Sequence, residues 1–120
     1  LWHTLSLHDA LPIWRLRKAR IPYISVLTDP TTGGVWASFA SLGDIILAEP
    51  GAYIGFAGKR LIIGALKVKL PEGFQSAEYQ FQNGFIDAIV KRQEMRNYLG
   101  RLVRYLTPGA HQLRSCHDPS

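Results

Sequence analysis

The residues best suited to chemistry are the four of Thr31-Thr32-Gly33-Gly34, which lie between a predicted strand and a predicted helix. Two adjacent glycines leave backbone N–H groups open to close approach by a ligand, and the start of a helix adds a partial positive charge. Such an arrangement can stabilise a developing oxyanion, as an enolate or a tetrahedral intermediate requires. The same residues also suit a simple turn in which glycine relieves backbone strain and threonine caps the helix. From spacing alone the simple turn is the favoured interpretation.

Other candidate side chains give weaker signals. Lys59 and Arg60 lie at a predicted helix start and could neutralise phosphate groups, although cations at such positions are more often solvated. Thr28 and Asp29 precede the glycine turn, and we expect them to stabilise it through side-chain to backbone hydrogen bonds. No Gly-x-Ser-x-Gly motif marks a serine nucleophile. Because Cys116 is the only cysteine, we predict neither a disulfide within the chain nor a metal site.

The elements that must hold this turn follow an α/β pattern. Short apolar runs bounded by turn residues predict strands at 22–27, 44–48, 52–56 and 86–90. Helices are predicted at 35–42, 59–66 and about 77–83, and Gly43 and Gly84 follow two of them at positions suited to a cap. A last helix has its apolar residues on one face: Met95, Leu99, Leu102, Val103 and Leu106.

Composition and charge limit the classes of partner that can be expected. The chain has 120 residues, of which 47% are hydrophobic, so one domain with an apolar core is expected. The formal net charge of +5 comes mainly from the two ends. The middle of the chain, residues 30 to 90, is nearly neutral. It contains four basic residues (Lys59, Arg60, Lys67, Lys69) and five acidic ones (Asp44, Glu49, Glu72, Glu78, Asp87). Because no basic stripe crosses this middle part, we expect no nucleic-acid partner. No apolar run approaches the roughly 20 residues of a membrane span, so no membrane partner is expected either.

The two ends of the sequence are expected to lie outside the domain. Residues 1–13 show no periodicity and resemble a translated adapter sequence, and we interpret 1–20 as a non-native or disordered segment. Residues 107–120 begin with a Pro-Gly break, stay polar and are predicted to be a disordered tail. The predicted domain is therefore 21–106.

Several longer motifs are more specific than the glycine pair. Residues 21–50, IPYISVLTDPTTGGVWASFASLGDIILAEP, resemble the carboxyltransferase β subunits of acetyl-CoA carboxylase. The likeness continues through GAYIGFAGKR (51–60), KLPEGFQSAEYQFQNGFIDAIVKR (69–92) and EMRNYLGRLV (94–103). It covers about 21–106, and motifs in the same order over such a length identify a family better than one short motif does.

The resemblance implies a partial crotonase-like (ClpP/crotonase) fold, an α/β spiral of repeated ββα turns. It implies transfer of a carboxyl group from carboxybiotin, held on a separate biotin carboxyl carrier protein, to acetyl-CoA, which gives malonyl-CoA for fatty acid synthesis. By matching motif, Gly33 and Gly34 would provide one backbone N–H pair of the oxyanion hole, while the α subunit of a heterotetramer provides the other. Lys59 and Arg60 would be weaker candidates for binding coenzyme A. The implied location is the cytoplasm of a bacterium, or a plastid.

The sequence also departs from the family. It contains neither the family's four-cysteine zinc ribbon nor its earlier block of the fold, so we expect the chain to be inactive alone. We also expect apolar surface to be exposed, at positions such as Ile24, Ile46 and Ile54. Trp36 stands where the family usually has threonine and could crowd the glycine pair. Two alternatives stay open: another crotonase-fold acyl-CoA enzyme such as a hydratase, or a non-catalytic fragment that only binds the α subunit.

Overall fold

The computed structural model describes residues 12–56, 59–67 and 72–107, and these alternate between helices and short strands. The elements in chain order are α1 (12–18), β1 (Ile24–Leu27), β2 (Thr31–Thr32), α2 (Gly33–Ala37), a 3-10 helix (Ala40–Leu42), β3 (Ile45–Ala48), β4 (Ile54–Gly55), α3 (Lys59–Leu66), α4 (Ala77–Gln82), β5 (Ala88–Ile89) and α5 (Arg92–Leu106). The predicted α/β class is confirmed. The predicted 1–20 segment and the tail from 107 lie largely outside the described residues, so they stay predictions.

Three strands form one parallel sheet in the order β1-β3-β5. Ile24 pairs with Ile45 at one end of the first pair, and Leu47 pairs with both Val26 and Ala88. Two aspartates add bonds from side chain to backbone: Asp87 accepts from the Ile46 N–H at 2.7 Å. Asp44 accepts from the Tyr23 N–H at 2.8 Å. These short apolar strands are typical of parallel sheets that are covered on both faces.

The remaining two strands form a separate parallel pair that leads into the glycine turn. β2 and β4 have two residues each, with Thr31 opposite Ile54 and Thr32 opposite Gly55. The N–H of Thr31 donates to the Tyr53 carbonyl at 2.8 Å, which starts the ladder between them. The predicted strand 52–56 is thus shorter in the structure, and β2 was not predicted.

One hydrophobic core joins the two sheets. Its buried members are mostly small or β-branched: Leu27, Ala40, Ile46, Ala48, Ala52, Ile54, Ala77 and Ile86. Because so many are alanines, helices and strands can approach closely there. The expectation that Ile46 and Ile54 would be exposed is wrong, since they are 9% and 0% exposed. Apolar surface is exposed instead at Ile21, Phe56 and Phe85, which are 51%, 61% and 58% exposed.

The helix predicted at 35–42 is divided in the structure. α2 ends where Ser38 takes φ −108 and ψ −94, and a 3-10 helix follows from Ala40. The Ser38 hydroxyl donates to the Gly34 carbonyl, and serine bonds of this kind compete with the backbone of a helix. Gly43 follows the 3-10 helix with φ −59, so it is not a left-handed cap. A Cβ there would lie 2.9 Å from the Ser25 Cβ, so close packing against β1 requires glycine.

Residues from Val90 onward form a second compact unit, which contains α5. Met95 is buried, and Leu99, Leu102 and Leu106 are half-buried, as the predicted apolar face requires. Val103 differs, because it is 52% exposed. No helix within the described ranges is long and apolar enough to cross a membrane.

Candidate functional site

The glycine turn begins directly where β2 ends. Thr32 is extended, with φ −135 and ψ 165, and its side chain makes no cap to α2. The Thr31 hydroxyl instead donates to the Thr28 carbonyl at 2.7 Å. Gly33 follows with φ +59, in the left-handed region that favours glycine. A threonine-capped simple turn is therefore not what the structure contains.

The two glycines differ in their surroundings. In a parallel strand, the N–H groups of every second residue point toward the same neighbouring strand. The Thr31 N–H bonds to the Tyr53 carbonyl, so the Gly33 N–H, two residues later, lies opposite the Gly55 carbonyl. Gly34 is the next residue, is exposed and lies in the first turn of α2, where N–H groups have no partner within the helix. Its N–H is thus the better placed of the two to meet a ligand.

Packing does not explain why residue 34 is glycine. Among the residues that the structure describes, no atom of another part of the chain lies within 4 Å of the position that a Cβ on Gly34 would occupy. At Gly33 the nearest such atom is the Phe56 carbonyl oxygen at 3.8 Å. The Trp36 ring packs against the hydrophobic core instead, and it is not among the atoms near either glycine. The expectation that Trp36 crowds the pair is wrong, because its ring is directed to the core.

Polar side chains hold β4 beside the turn. The Asp29 carboxylate accepts from the Tyr53 N–H at 2.8 Å, which confirms the expected side-chain to backbone bond for Asp29. Thr28 contributes its carbonyl and not its hydroxyl. On the other side, the Gln80 side-chain amide donates to the Ile54 carbonyl at 2.8 Å, and this bond is buried. The turn is therefore attached to a strand that is fixed from both sides.

Sequence reasoning missed the glutamines that support this strand. Gln75 and Gln80 are 7% and 8% exposed, so both are buried. A buried polar side chain needs a hydrogen-bond partner, and here the partners come from β4 and the residue before it. Gln75 lies within the quoted motif KLPEGFQSAEYQ, but no periodicity marks it as buried. Its only local signal is the nearby Ser76, which caps α4 by accepting from the Tyr79 N–H at 3.1 Å.

Two sequence-predicted residues cannot be related to the turn. Lys59 and Arg60 begin α3, but their side chains and residues 57 and 58 lie outside the described part of the chain. Their role in binding phosphates stays a prediction. Among the described residues no group of three or more His, Cys, Asp or Glu side chains could hold a metal ion, and Cys116 is not among them.

The fold and the turn define an α/β protein that presents a glycine pair between a parallel strand and a short helix. No protein-family model matches the chain. Curated proteins do match it over most of its length. It is 64% identical over 90 residues to the acetyl-coenzyme A carboxylase carboxyl transferase subunit beta of Alkaliphilus oremlandii, which covers 75% of this chain and 33% of the relative.

Two further relatives carry the same name. The protein of Methylocella silvestris is 59% identical over 97 residues, with 81% of this chain and 34% of the relative covered. The protein of Clostridium kluyveri is 62% identical over 91 residues, with 76% and 31% covered. The chain therefore belongs to the family of acetyl-CoA carboxylase carboxyl transferase β subunits, and the resemblance found in the sequence is confirmed. It spans about a third of the length of these relatives.

Proposed function

We propose that this chain is part of the carboxyltransferase component of an acetyl-CoA carboxylase, and that the Gly33-Gly34 pair forms part of an oxyanion hole of that reaction, with the backbone N–H of Gly34 as the donor. The observation that carries the proposal is the place of Gly34, an exposed residue whose N–H has no partner within α2 and which directly follows the β2 to α2 junction. The described residues also leave its Cβ position open, so a ligand can approach there. An exposed N–H beside that space suits an oxygen that gains negative charge.

Carboxybiotin, carried by a separate protein, supplies the carboxyl group when it is bound. The acceptor would be the methyl carbon of acetyl-CoA: it would lose a proton and form the new carbon–carbon bond of malonyl-CoA, while the bond between the ureido nitrogen of biotin and the carboxyl group breaks and that nitrogen takes up the proton. The oxygen that becomes negative is either the thioester oxygen of acetyl-CoA or the ureido oxygen of biotin. The Gly34 N–H donates to that oxygen, and Gly33 provides the left-handed bend that directs it outward.

Preorganisation supports this role. A donor stabilises a developing charge best when it is fixed before the reaction begins, because no reorganisation is then needed. Gly33 is held to β4 through the ladder, and β4 is held by Asp29 and Gln80. The turn thus has the rigid support that such a site needs.

The remaining parts of the reaction come from elsewhere in the complex. The proposal includes an α subunit that supplies a second N–H pair, a biotin carboxyl carrier protein, a heterotetrameric assembly and a bacterial cytoplasmic or plastid location. The relatives' shared name and the third of their length that this chain spans support these partners, and also the inactivity of the chain alone. Lys59 and Arg60 are proposed to face the phosphates of coenzyme A. The crotonase-like spiral is the proposed form of the complete subunit.

The test uses a chimera in which residues 21–106 replace the matching segment of the Alkaliphilus oremlandii subunit, assembled with that organism's α subunit. Carboxyl transfer from malonyl-CoA to biotin is measured. We expect Gly34→Ala to lower kcat about 100-fold, because a methyl group beside the N–H holds the oxygen away by about 1 Å. Gly64→Ala is the matched control, since its Cβ position in α3 is also open and lies in a helix.

The Gly64→Ala control distinguishes a loss of catalysis at Gly34 from a general effect of replacing an open glycine by alanine. Equal kcat values for the two variants would contradict the role of Gly34. A chimera that binds the α subunit without turnover would favour the assembly role, and turnover of acyl-CoA substrates without biotin would favour another acyl-CoA enzyme.

A further inference from the structure

Gln75 lies directly against the strand that supports the glycine turn. A Cβ on Gly55 would be 2.4 Å from the Gln75 Cδ and 2.6 Å from its Nε2. The glutamine side chain therefore occupies the space that any side chain at residue 55 would need. Gln75 is 7% exposed, so this contact is part of the interior.

Gln75 also bonds to the two residues before Gly55. Its carbonyl accepts from the Ile54 N–H at 2.7 Å. Its side-chain Oε1 accepts from the Tyr53 hydroxyl. One residue thus fixes three consecutive positions, 53 to 55, through its backbone, its side-chain oxygen and its volume.

The backbone of Gln75 is itself unusual. Its φ is +63, in the left-handed region that residues other than glycine, asparagine and aspartate rarely adopt. Arg20 and Lys67 also have positive φ, but they are exposed, whereas Gln75 is buried, so its contacts can hold this conformation. The contacts with Tyr53, Ile54 and Gly55 are those that hold it here.

The position of β4 determines the position of the glycine turn through the β2–β4 ladder. Gly55 lies opposite Thr32, and its carbonyl faces the Gly33 N–H. The next carbonyl, that of Phe56, lies 3.8 Å from the Cβ position of Gly33. A shift of Gly55 would therefore change the direction of the Gly33–Gly34 peptide.

We propose that Gln75 is a positioning residue for the glycine turn, acting through Gly55. Its effect on catalysis rests on the proposed function, whereas its effect on the Gly33 amide does not. Gln75 touches no reacting atom in this scheme. It determines the position of the Gly33–Gly34 peptide, and thereby of the Gly34 N–H donor.

The first experiment measures amide hydrogen exchange in the full 120-residue chain. Gln75→Gly keeps the left-handed backbone accessible and removes the side chain. We expect exchange at Gly33 to become at least about tenfold faster, because its partner carbonyl on Gly55 is no longer fixed. Gln82→Ala is the control, since Gln82 is an exposed glutamine at the end of α4, and it should leave Gly33 unchanged.

The second experiment uses the chimera and its carboxyl-transfer assay. Gln75→Gly should lower kcat about tenfold or more with little change in KM, because the donors are displaced and not the substrate contacts. Gly55→Ala should lower kcat as well, since its Cβ meets Gln75. The double variant Gly55→Ala/Gln75→Gly should have about the kcat of Gln75→Gly alone, because the added Cβ then meets no side chain, whereas independent effects would multiply.

The two experiments separate this inference from the proposed function. If the unsubstituted chimera has no activity, the proposed function fails, and the exchange at Gly33 alone decides the role of Gln75. If Gln75→Gly matches Gln82→Ala in both exchange and kcat, Gln75 does not position the turn. Losses that multiply in the double variant would also overturn the steric link to Gly55.

Discussion

The two parallel sheets of this chain differ in the length of their pairing. In the three-stranded sheet, β1 and β3 pair over four residues, and the apolar side chains of Leu27 and Ile46 are buried there. One hydrogen bond to a side chain, that of Asp87, adds to this pairing. In the smaller pair, β2 and β4 share only two residue positions, and Asp29 and Gln80 hold it from outside. The larger sheet thus combines long pairing with apolar burial, whereas side-chain hydrogen bonds support the short pair that carries the turn we propose to be functional.

The largest expected effect is on the apolar sheet. Leu27 is 2% exposed, so Leu27→Ala should lower the free energy of unfolding by about 2–5 kcal/mol through lost burial and a cavity. Urea denaturation of the full chain measures it. Leu42→Ala is the matched control, because Leu42 is 44% exposed and should change stability by less than about 1 kcal/mol. Similar losses for both would contradict the view that burial of Leu27 holds this sheet.

A smaller loss is expected where a hydrogen bond holds the second pair. Gln80→Leu leaves the buried Ile54 carbonyl without its side-chain partner, so stability should fall by about 1–3 kcal/mol. The same urea experiment applies, with Gln82→Leu as the exposed control. If Gln80→Leu is neutral or stabilising, apolar packing and not the hydrogen bond supports β4.

Loss of the Asp29 carboxylate, beside the β2–β4 pair, should lower the free energy of unfolding by less, because Asp29 is exposed. Asp29→Ala removes the acceptor of the Tyr53 N–H and should lower stability by about 1 kcal/mol. Asp29→Asn retains an acceptor oxygen and should lose less. Thermal unfolding of the two variants compares them, and an equal loss would show that the charge is what stabilises, and not the hydrogen bond.

The smallest expected effect lies outside both sheets. Gly64 is exposed within α3 and has open space at its Cβ position, so Gly64→Ala should raise stability by up to about 1 kcal/mol. Gly33→Ala should instead lower it by about 1–2 kcal/mol, since φ +59 is unfavourable for alanine. Opposite signs in urea denaturation would separate a glycine that the fold requires from one that it does not.

The elements with long apolar runs were predictable from the sequence, and the short, hydrogen-bonded ones were not. β1, β3 and α3 were predicted because apolar runs and punctuating glycines mark them, and α3 matches its predicted bounds of 59–66. The glycine pair was correctly predicted at a strand-to-helix junction, but Thr31-Thr32 form β2 and Gly33-Gly34 begin α2, so no separate turn lies between them. Local sequence could not predict β2, because a strand of two residues exists only through its partner β4.

Polar interior residues were the least predictable part. Gln75 and Gln80 are buried because tertiary contacts satisfy their amide groups, and neither lies in an apolar run. The helix predicted at 35–42 divides at Ser38, whose hydroxyl bonds to the Gly34 carbonyl. Each of these features involves a side-chain hydrogen bond, which hydrophobic periodicity does not describe.

The position of β1 at the edge of its sheet has a practical consequence for handling the protein. Within the described residues β1 pairs only with β3, so its other edge has no strand partner there. Val26 on the same strand is 38% exposed. An apolar, uncharged edge of this kind is a template for intermolecular β-pairing. Solutions of the isolated chain should therefore self-associate as concentration rises, and dilute samples are the appropriate starting material for the measurements above.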